Sequence, residues 1–242
     1  MDDTNSEYMI SPEILETKNE GVSEKKITFQ DIVKNKEIKT YLEFGDKYLG
    51  TLGYTNHSLL HAQRVAKIAN MILLSLSYDK RTAELARIAG YMHDIGNVIN
   101  RADHAQSSAM MAFNILIRLG MAPAEISKII AAIGNHDEGT GLPVNALAAA
   151  LIIADKTDVR RSRVKTRDPK DFDIHDRVNY AAEVSEVTVD DRVIKLKLKI
   201  DTEISSVSDY FEIFLTRMLM CKRAAESLDA KFELDINEIK LM

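Results

Sequence analysis

Apolar residues recur every three or four positions through most of the chain before residue 160. In the segment 57–76, for example, Val65, Ile68, Ala69 and Ile72 fall on one face of a helix. The same spacing predicts helices over 36–49, 57–76, 80–95, 104–119, 123–135 and 146–158. Thr28 is a capping residue type before a further helical segment, and Gly120 is typical of a helix end. The pattern therefore indicates a bundle of helices.

The period of the pattern changes after about residue 182. Within 193–200, apolar residues alternate strictly with lysines, which is typical of a strand with one buried face. We predict a short helix capped by Asp173, strands over 184–189, 193–200 and 232–236, and a long helix over 205–228. The three strands would form a small sheet covered by the long helix. Pairing of the last strand with 193–200 would set its acidic residues opposite the lysines.

These elements predict a mainly α protein in three parts. Residues 1–27 are polar and aperiodic and are expected to form a flexible tail, with one short helix near 12–17. Residues 28–182 would form the helical domain, and residues 183–242 a small C-terminal α+β appendage made of a β-hairpin, a helix and a final strand.

Composition and charge narrow the classes of function. Hydrophobic residues make up 45% of the 242 residues, as in soluble globular proteins, and the net charge of -5 argues against nucleic-acid binding through a basic surface. The single cysteine, Cys221, excludes an intramolecular disulfide and is expected to be a buried thiol. The sequence contains neither an apolar run of membrane-spanning length nor a signal-peptide pattern, so we expect a cytoplasmic protein without a membrane partner.

Six polar residues interrupt the apolar edges of the predicted helices. The doublet His93-Asp94 ends one apolar helix, and the others are His61, His104, His136 and Asp155. An unpaired polar group in a core costs several kcal/mol, roughly 2–7. One such residue finds a hydrogen-bond partner easily, whereas six in one bundle point to a shared divalent metal. The alternative is a structural domain in which these groups only bond to one another.

The donor types limit the metal and the chemistry. Imidazole together with carboxylate suits Mn, Fe, Zn, Co or Ni, and sometimes Mg. Two adjacent ions could share a bridging carboxylate and lower the pKa of a water molecule to give a nucleophile near neutral pH. The natural reaction is hydrolysis of a phosphoester or phosphoanhydride bond, because the ions also neutralise phosphate charge.

Basic residues follow the last of the candidate ligands. Lys156, Arg160 and Arg163 are suited to phosphate oxygens, and Asp158 is expected to hold one of these basic residues in place. The competing interpretation is a solvated run of charges. His57 is expected to support the site or the core, and His175 to lie at the surface.

The motif His61…His93-Asp94…Asp155 resembles the HD superfamily of metal-dependent phosphohydrolases over about residues 55–165. As in that family, Val follows the first His by four residues, the doublet continues as His-Asp-Ile-Gly, and Ala precedes the last Asp. The resemblance implies an HD-type helical bundle. It further implies a first metal bound by His61, His93, Asp94 and Asp155, a second bound by His104 and His136, and a bridging and catalytic role for Asp94.

The additional histidines are similar to those of the dinuclear branches of the superfamily, such as the HD-GYP phosphodiesterases and the HD-type dinucleoside tetraphosphate hydrolases. Asn97 stands where the HD-GYP proteins have Lys, and Gly141-Leu142-Pro143 only echoes their Gly-Tyr-Pro. The resemblance implies an enzyme acting on a nucleotide-type small molecule, while leaving the substrate open. The alternative function is a regulatory or nucleotide-sensing module without turnover. A homodimer through the C-terminal part is a further hypothesis, which rests only on analogy with other folds.

Overall fold

The computed structural model describes residues 26–166 and 168–242. The α-helices are α1 (Phe29–Lys34), α2 (Lys36–Thr51), α3 (Leu59–Ser75), α4 (Lys80–Met92), α5 (His104–Leu119), α6 (Pro123–Gly134), α7 (Ala146–Lys156), α8 (Ile174–Ala181) and α9 (Val207–Ser227). The strands are β1 (Ala182–Asp190), β2 (Val193–Ile200), β3 (Lys231–Ile236) and β4 (Ile239–Lys240). Short 3-10 turns cover Ile95–Val98, Arg161–Arg163 and Pro169–Asp171. The protein is thus mostly helical with a small C-terminal sheet, as the sequence predicted.

Capping residues determine where several helices begin and end. Thr28 caps α1 through a reciprocal pair of hydrogen bonds with Asp31, and Gly120 closes α5 in the left-handed conformation with φ of 83°. The prediction that the third helix begins at His57 was wrong. Ser58 is the N-cap of α3, and His57 lies in the preceding loop, where its backbone N–H donates to Asp46.

The sheet has four strands in the order β1-β2-β3-β4, rather than the three that were predicted. The extra strand β4 is two residues long and is formed by a tight turn in which Asn237 and Glu238 both have positive φ. The expected pairing of the last long strand with β2 is confirmed and is parallel. Lys195 lies opposite Glu233, with 3.1 Å between Nζ and Oε2.

One hydrophobic core runs through the bundle and the sheet. Helix α9 packs against α7 on one side and β3 on the other, and its Phe214 and Met218 are buried together with core residues of both. Cys221 is buried in the same core, as predicted. Ile27, which the sequence assigned to the tail, also belongs to this core. The rest of the predicted tail, 1–25, including the expected helix near 12–17, lies outside the described residues.

Two close backbone approaches bring the polar residues of the bundle together. A Cβ on Gly90 would lie 2.9 Å from the Cα of Ala66, so α4 can pack tightly against α3 only with glycine there. A Cβ on Gly96 would lie 2.5 Å from the backbone nitrogen of Ser108, so the turn after Asp94 is pressed against α5. Glycines on either side of the His93-Asp94 doublet therefore allow close contacts with α3 and α5.

The described helices include none whose length and apolar character would let it cross a lipid bilayer.

Candidate metal centre

The six polar residues singled out from the sequence lie at helix ends that converge in the bundle. His61 is in the first turn of α3, His93 and Asp94 follow α4, and His104 is the first residue of α5. His136 follows α6, and Asp155 is in the last turn of α7. The four histidines and Asp94 are each less than 5% exposed. The helix ends thus present all six side chains to one buried location.

Four of these residues form a first group of donor atoms. His61 Nε2 lies 3.3 Å from His93 Nε2 and 3.3 Å from Asp155 Oδ1. Asp94 Oδ2 lies 3.3 Å from His93 Nε2 and 3.6 Å from His61 Nε2. Two imidazoles and two carboxylates within this range can surround one divalent cation.

The second group contains His104 and His136, whose Nε2 atoms are 3.2 Å apart. The other carboxylate oxygen of Asp94, Oδ1, lies 3.5 Å from His104 Nε2. Asp137 Oδ1 is 3.9 Å from the same nitrogen, a residue that sequence reasoning did not single out. Asp94 therefore presents one oxygen to each group, which is the arrangement of a bridging carboxylate.

The hydrogen bonds of the imidazole rings define their tautomers. The Nδ1–H groups of His93 and His136 donate to the carbonyl oxygens of Gly90 and Ile133, which lie three residues earlier at helix ends. His104 Nδ1 is 3.1 Å from the carbonyl oxygen of Arg101 in the same way. With Nδ1 as the donor, the rings turn their Nε2 atoms toward one another and toward carboxylates, and an Nε2 atom without a proton offers its lone pair there.

Such a set of donor atoms fits a cation. Asp94 Oδ2 is buried and accepts no hydrogen bond from any described residue. Burial opposes a charge on His93, but the carboxylates of Asp94 and Asp155 outweigh it and raise the pKa of His93 to about 10. Burial also opposes the negative charge of Asp94, yet the neighbouring His93 holds the pKa of Asp94 well below its usual range. A proton on His93 thus occupies a position where a divalent metal can replace it.

Asp158 organises the outer side of the first group. Its Oδ2 accepts from His61 Nδ1 at 2.6 Å, which fixes the ring orientation. Its Oδ1 lies 2.7 Å from Arg160 Nε and 2.9 Å from Arg64 Nε. The predicted role of Asp158 in holding a basic residue is therefore observed, and the residue it holds is Arg160.

A cavity of about 300 Å³ opens beside Asp155. Lys156 and Arg163 line it, as does Arg101, whose Nη1 lies 3.7 Å from Asp94 Oδ1. Lys156 is 4% exposed, and its Nζ is 2.8 Å from Asp155 Oδ2. Arg160 is absent from the described cavity lining because Asp158 and Ser162 hold its guanidinium elsewhere.

Several lining residues were not assigned to the site from the sequence, among them Arg101, Phe214 and Arg217. Arg101 lies between His93 and His104 in the sequence, and its position three residues before His104 could have indicated that it lies near the site. Phe214 and Arg217 come from α9, far along the chain, where the sequence offers only an amphipathic helix. His175, predicted to be at the surface, is exposed, and it lies on the cavity rim.

His57 supports the cavity wall without belonging to either donor group. Its Nδ1–H donates to the carbonyl oxygen of Thr55, and its ring centroid is 5.7 Å from that of His61. Burial lowers the pKa of His57 well below 6.5, although the charge of Asp94 acts in the opposite direction. The folded protein therefore keeps this ring neutral at pH values at which the unfolded chain protonates it.

This shift predicts a pH-dependent stability. Below about pH 6.5 the unfolded chain binds a proton on His57 that the folded protein does not bind, so the free energy of unfolding falls as pH decreases. We expect His57→Gln to reduce the slope of unfolding free energy against pH between 5 and 6.5 in chelator-treated protein. Urea unfolding at several pH values measures the slope. An unchanged slope in the variant would contradict a neutral, buried His57.

Comparison with known proteins identifies the helical region. Residues 58–161 match the HD domain family. The chain is also similar to the uncharacterized protein MJ1020 of Methanocaldococcus jannaschii, with 29% identity over 177 residues. That match covers 62% of this chain and 66% of the relative's length. The matched family segment contains all six residues of the two donor groups, so the likeness to the HD domain family covers the whole candidate metal centre.

Proposed function

We propose that this protein is a metal-dependent phosphohydrolase that cleaves a phosphoester or phosphoanhydride bond of a nucleotide-type substrate. The observation that carries the proposal is Asp94, whose Oδ2 lies near His93 and His61 and whose Oδ1 lies near His104. The likeness of residues 58–161 to the HD domain family, whose superfamily comprises metal-dependent phosphohydrolases, supports the same reaction class.

In this proposal His61, His93, Asp94 and Asp155 hold one divalent ion, and Asp94, His104 and His136 hold a second. Bound divalent ions lower the pKa of water and neutralise phosphate charge. Asp94 would contribute one oxygen to each ion, and its carboxylate is the group proposed to accept a proton from the attacking water. Asp158 keeps the His61 ring in the orientation that presents Nε2.

Basic residues of the cavity bind the phosphate in this account. Lys156 is buried next to Asp155 and reaches the cavity, so its charge lies beside the first ion site. Arg163 is held by the carbonyl oxygens of Asn56 and Asp158 and also lines the cavity. The sequence analysis proposed Arg160 for the same role. Its guanidinium is bound to Asp158, so Arg160 would contact a phosphate only after leaving that carboxylate.

A nucleotide-type substrate is supported by the chemistry of the cavity. Its basic lining residues Lys156 and Arg163 are buried, whereas Tyr54, 44% exposed, offers an aromatic surface. A volume of about 300 Å³ is at the lower end of small-molecule sites, so the cavity suits one nucleotide unit rather than two. The second unit of a larger substrate would lie outside it.

The experiment is a hydrolysis screen of nucleotides with chelator-treated protein reloaded with Mn²⁺, Fe²⁺, Zn²⁺, Co²⁺, Ni²⁺ or Mg²⁺. We expect release of phosphate or nucleotide from at least one compound, loss of release with chelator, and recovery when the metal is returned. His93→Ala should abolish release under all of these metals. Activity that persists in His93→Ala would refute the proposal, and tight nucleotide binding without turnover would favour a nucleotide-sensing module.

A further inference from the structure

The walls of the cavity come mostly from outside the matched family segment. Residues before Ser58 and after Arg161 supply most of its lining, including Tyr54, Asp173 and Arg217. The donor groups lie within 58–161, whereas selectivity for the rest of a substrate would depend on these flanking residues. Among the flanking residues of the described chain, Arg163 and Arg217 carry positive charge into the cavity.

Arg217 is held in place by two contacts on α9 and on the loop after α6. Its guanidinium carbon lies 4.5 Å from the centroid of the Phe214 ring, which is 1% exposed and therefore a fixed support. Its Nε lies 2.6 Å from Glu138 Oε1. The two terminal nitrogens of Arg217 donate no hydrogen bond to any residue in the described part of the chain. They are thus available to a ligand in the cavity.

A line of alternating charges connects Arg217 to the donor groups. Lys156 Nζ lies 2.8 Å from Asp155 Oδ2 and 3.6 Å from Glu138 Oε1. The same Glu138 oxygen contacts Arg217. Lys156 is therefore the cation beside the first ion site, and Arg217 is one ion pair further from it. An anionic group bound by Arg217 would be farther from the reacting phosphorus than one bound by Lys156.

We propose that Arg217 binds a second anionic group of the substrate, so that the C-terminal helix selects phosphate compounds carrying another phosphate beyond the one that reacts. This inference rests on the proposed phosphohydrolase function. A planar guanidinium with two free terminal nitrogens can hold a phosphate through paired hydrogen bonds, and Glu138 with Phe214 fixes its orientation before the ligand arrives. Substrates of this class are nucleoside diphosphates, triphosphates and bisphosphates.

The test measures the binding of inorganic phosphate and inorganic pyrophosphate to the metal-loaded protein by calorimetry. We expect Arg217→Gln to weaken pyrophosphate binding between about tenfold and about a hundredfold, the range for one charge-assisted hydrogen bond, and phosphate binding by less than about threefold. Arg217→Lys should fall between Arg217→Gln and the original protein. Arg223→Gln, an exposed arginine on the same helix, should change neither value.

Two outcomes would overturn the inference. Equal losses for both anions would mean that Arg217 only shapes the site, and no loss for pyrophosphate would mean that it does not meet the substrate. Metal content and thermal unfolding of each variant show whether the fold is intact. If the original metal-loaded protein hydrolyses a nucleotide while Arg217→Gln keeps its preference for pyrophosphate over phosphate, this inference alone fails. If the original protein hydrolyses nothing and binds neither anion, the proposed function fails with it.

Discussion

Replacing Asp94 by asparagine is expected to remove turnover by on the order of a thousandfold or more, because several kcal/mol of transition-state stabilisation depend on the paired ions. Asp94 is the residue that both donor groups share, with Oδ2 toward His93 and Oδ1 toward His104. The amide keeps the size of the side chain but loses its charge and one acceptor oxygen. Metal affinity at both positions should therefore fall together. Steady-state kinetics and metal titration of the purified variant measure the two effects.

Asp229→Asn is the matched control for that substitution. The Asp229 side chain is 98% exposed and pairs with Arg192 at the surface, so its loss should leave turnover and metal affinity unchanged. An Asp94→Asn variant that loses metal at one position and keeps full affinity at the other would show that the carboxylate is not shared.

Among the substitutions proposed for this protein, Asp158→Ala is expected to lower the free energy of unfolding most. Its side chain is fully buried, and it pairs with His61 while neutralising Arg64 and Arg160. Arg163, 8% exposed at its side chain, lies 3.7 Å from the same carboxylate. Removing one partner of a buried charge network typically costs about 3–5 kcal/mol, because the remaining charges are left uncompensated. Urea unfolding of the chelator-treated protein, compared with the unaltered chain, measures this difference.

The pH dependence of that difference is a second test of the same carboxylate. Burial opposes its charge, but His61 and the surrounding arginines outweigh burial and lower the pKa of Asp158 below 3.8. The stabilisation is therefore complete above the pKa of the unfolded chain and is lost as pH falls below about 4. Glu43→Ala, which removes an exposed helical pair with Lys39, should cost no more than about 1 kcal/mol. A loss of that small size for Asp158→Ala would contradict a structural role for its network.

The helices of the bundle could be predicted from sequence because their apolar residues keep one period over many turns. The ends of these helices were harder to predict from the sequence than the helices themselves. α4 stops at Met92, where His93 donates to the carbonyl oxygen of Gly90, and a side-chain contact of this kind leaves no trace in the hydrophobic pattern. Strand β4 was missed because two residues are too short for a period, and the left-handed turn at Asn237 creates it.

The candidate ligands could be predicted because a polar residue at an apolar helix edge is costly unless it has a partner. Their division into two groups joined by Asp94 was implied only by the resemblance to the HD superfamily, since the hydrophobic pattern does not show how the helix ends meet in space. Arg217 lies far from every motif in sequence, and only the packing of α9 on α7 brings it to the cavity. Arg160 follows the motif closely but turns toward Asp158, because the nearest buried carboxylate holds its guanidinium.

Elemental analysis of the protein purified without chelator, together with His104→Ala and His136→Ala, tests the central claim most directly. The account predicts about two divalent ions per chain in the original protein and about one in each variant, because these two histidines are the imidazole donors assigned to the second group. One ion per chain that neither substitution changes would contradict a paired site joined by Asp94.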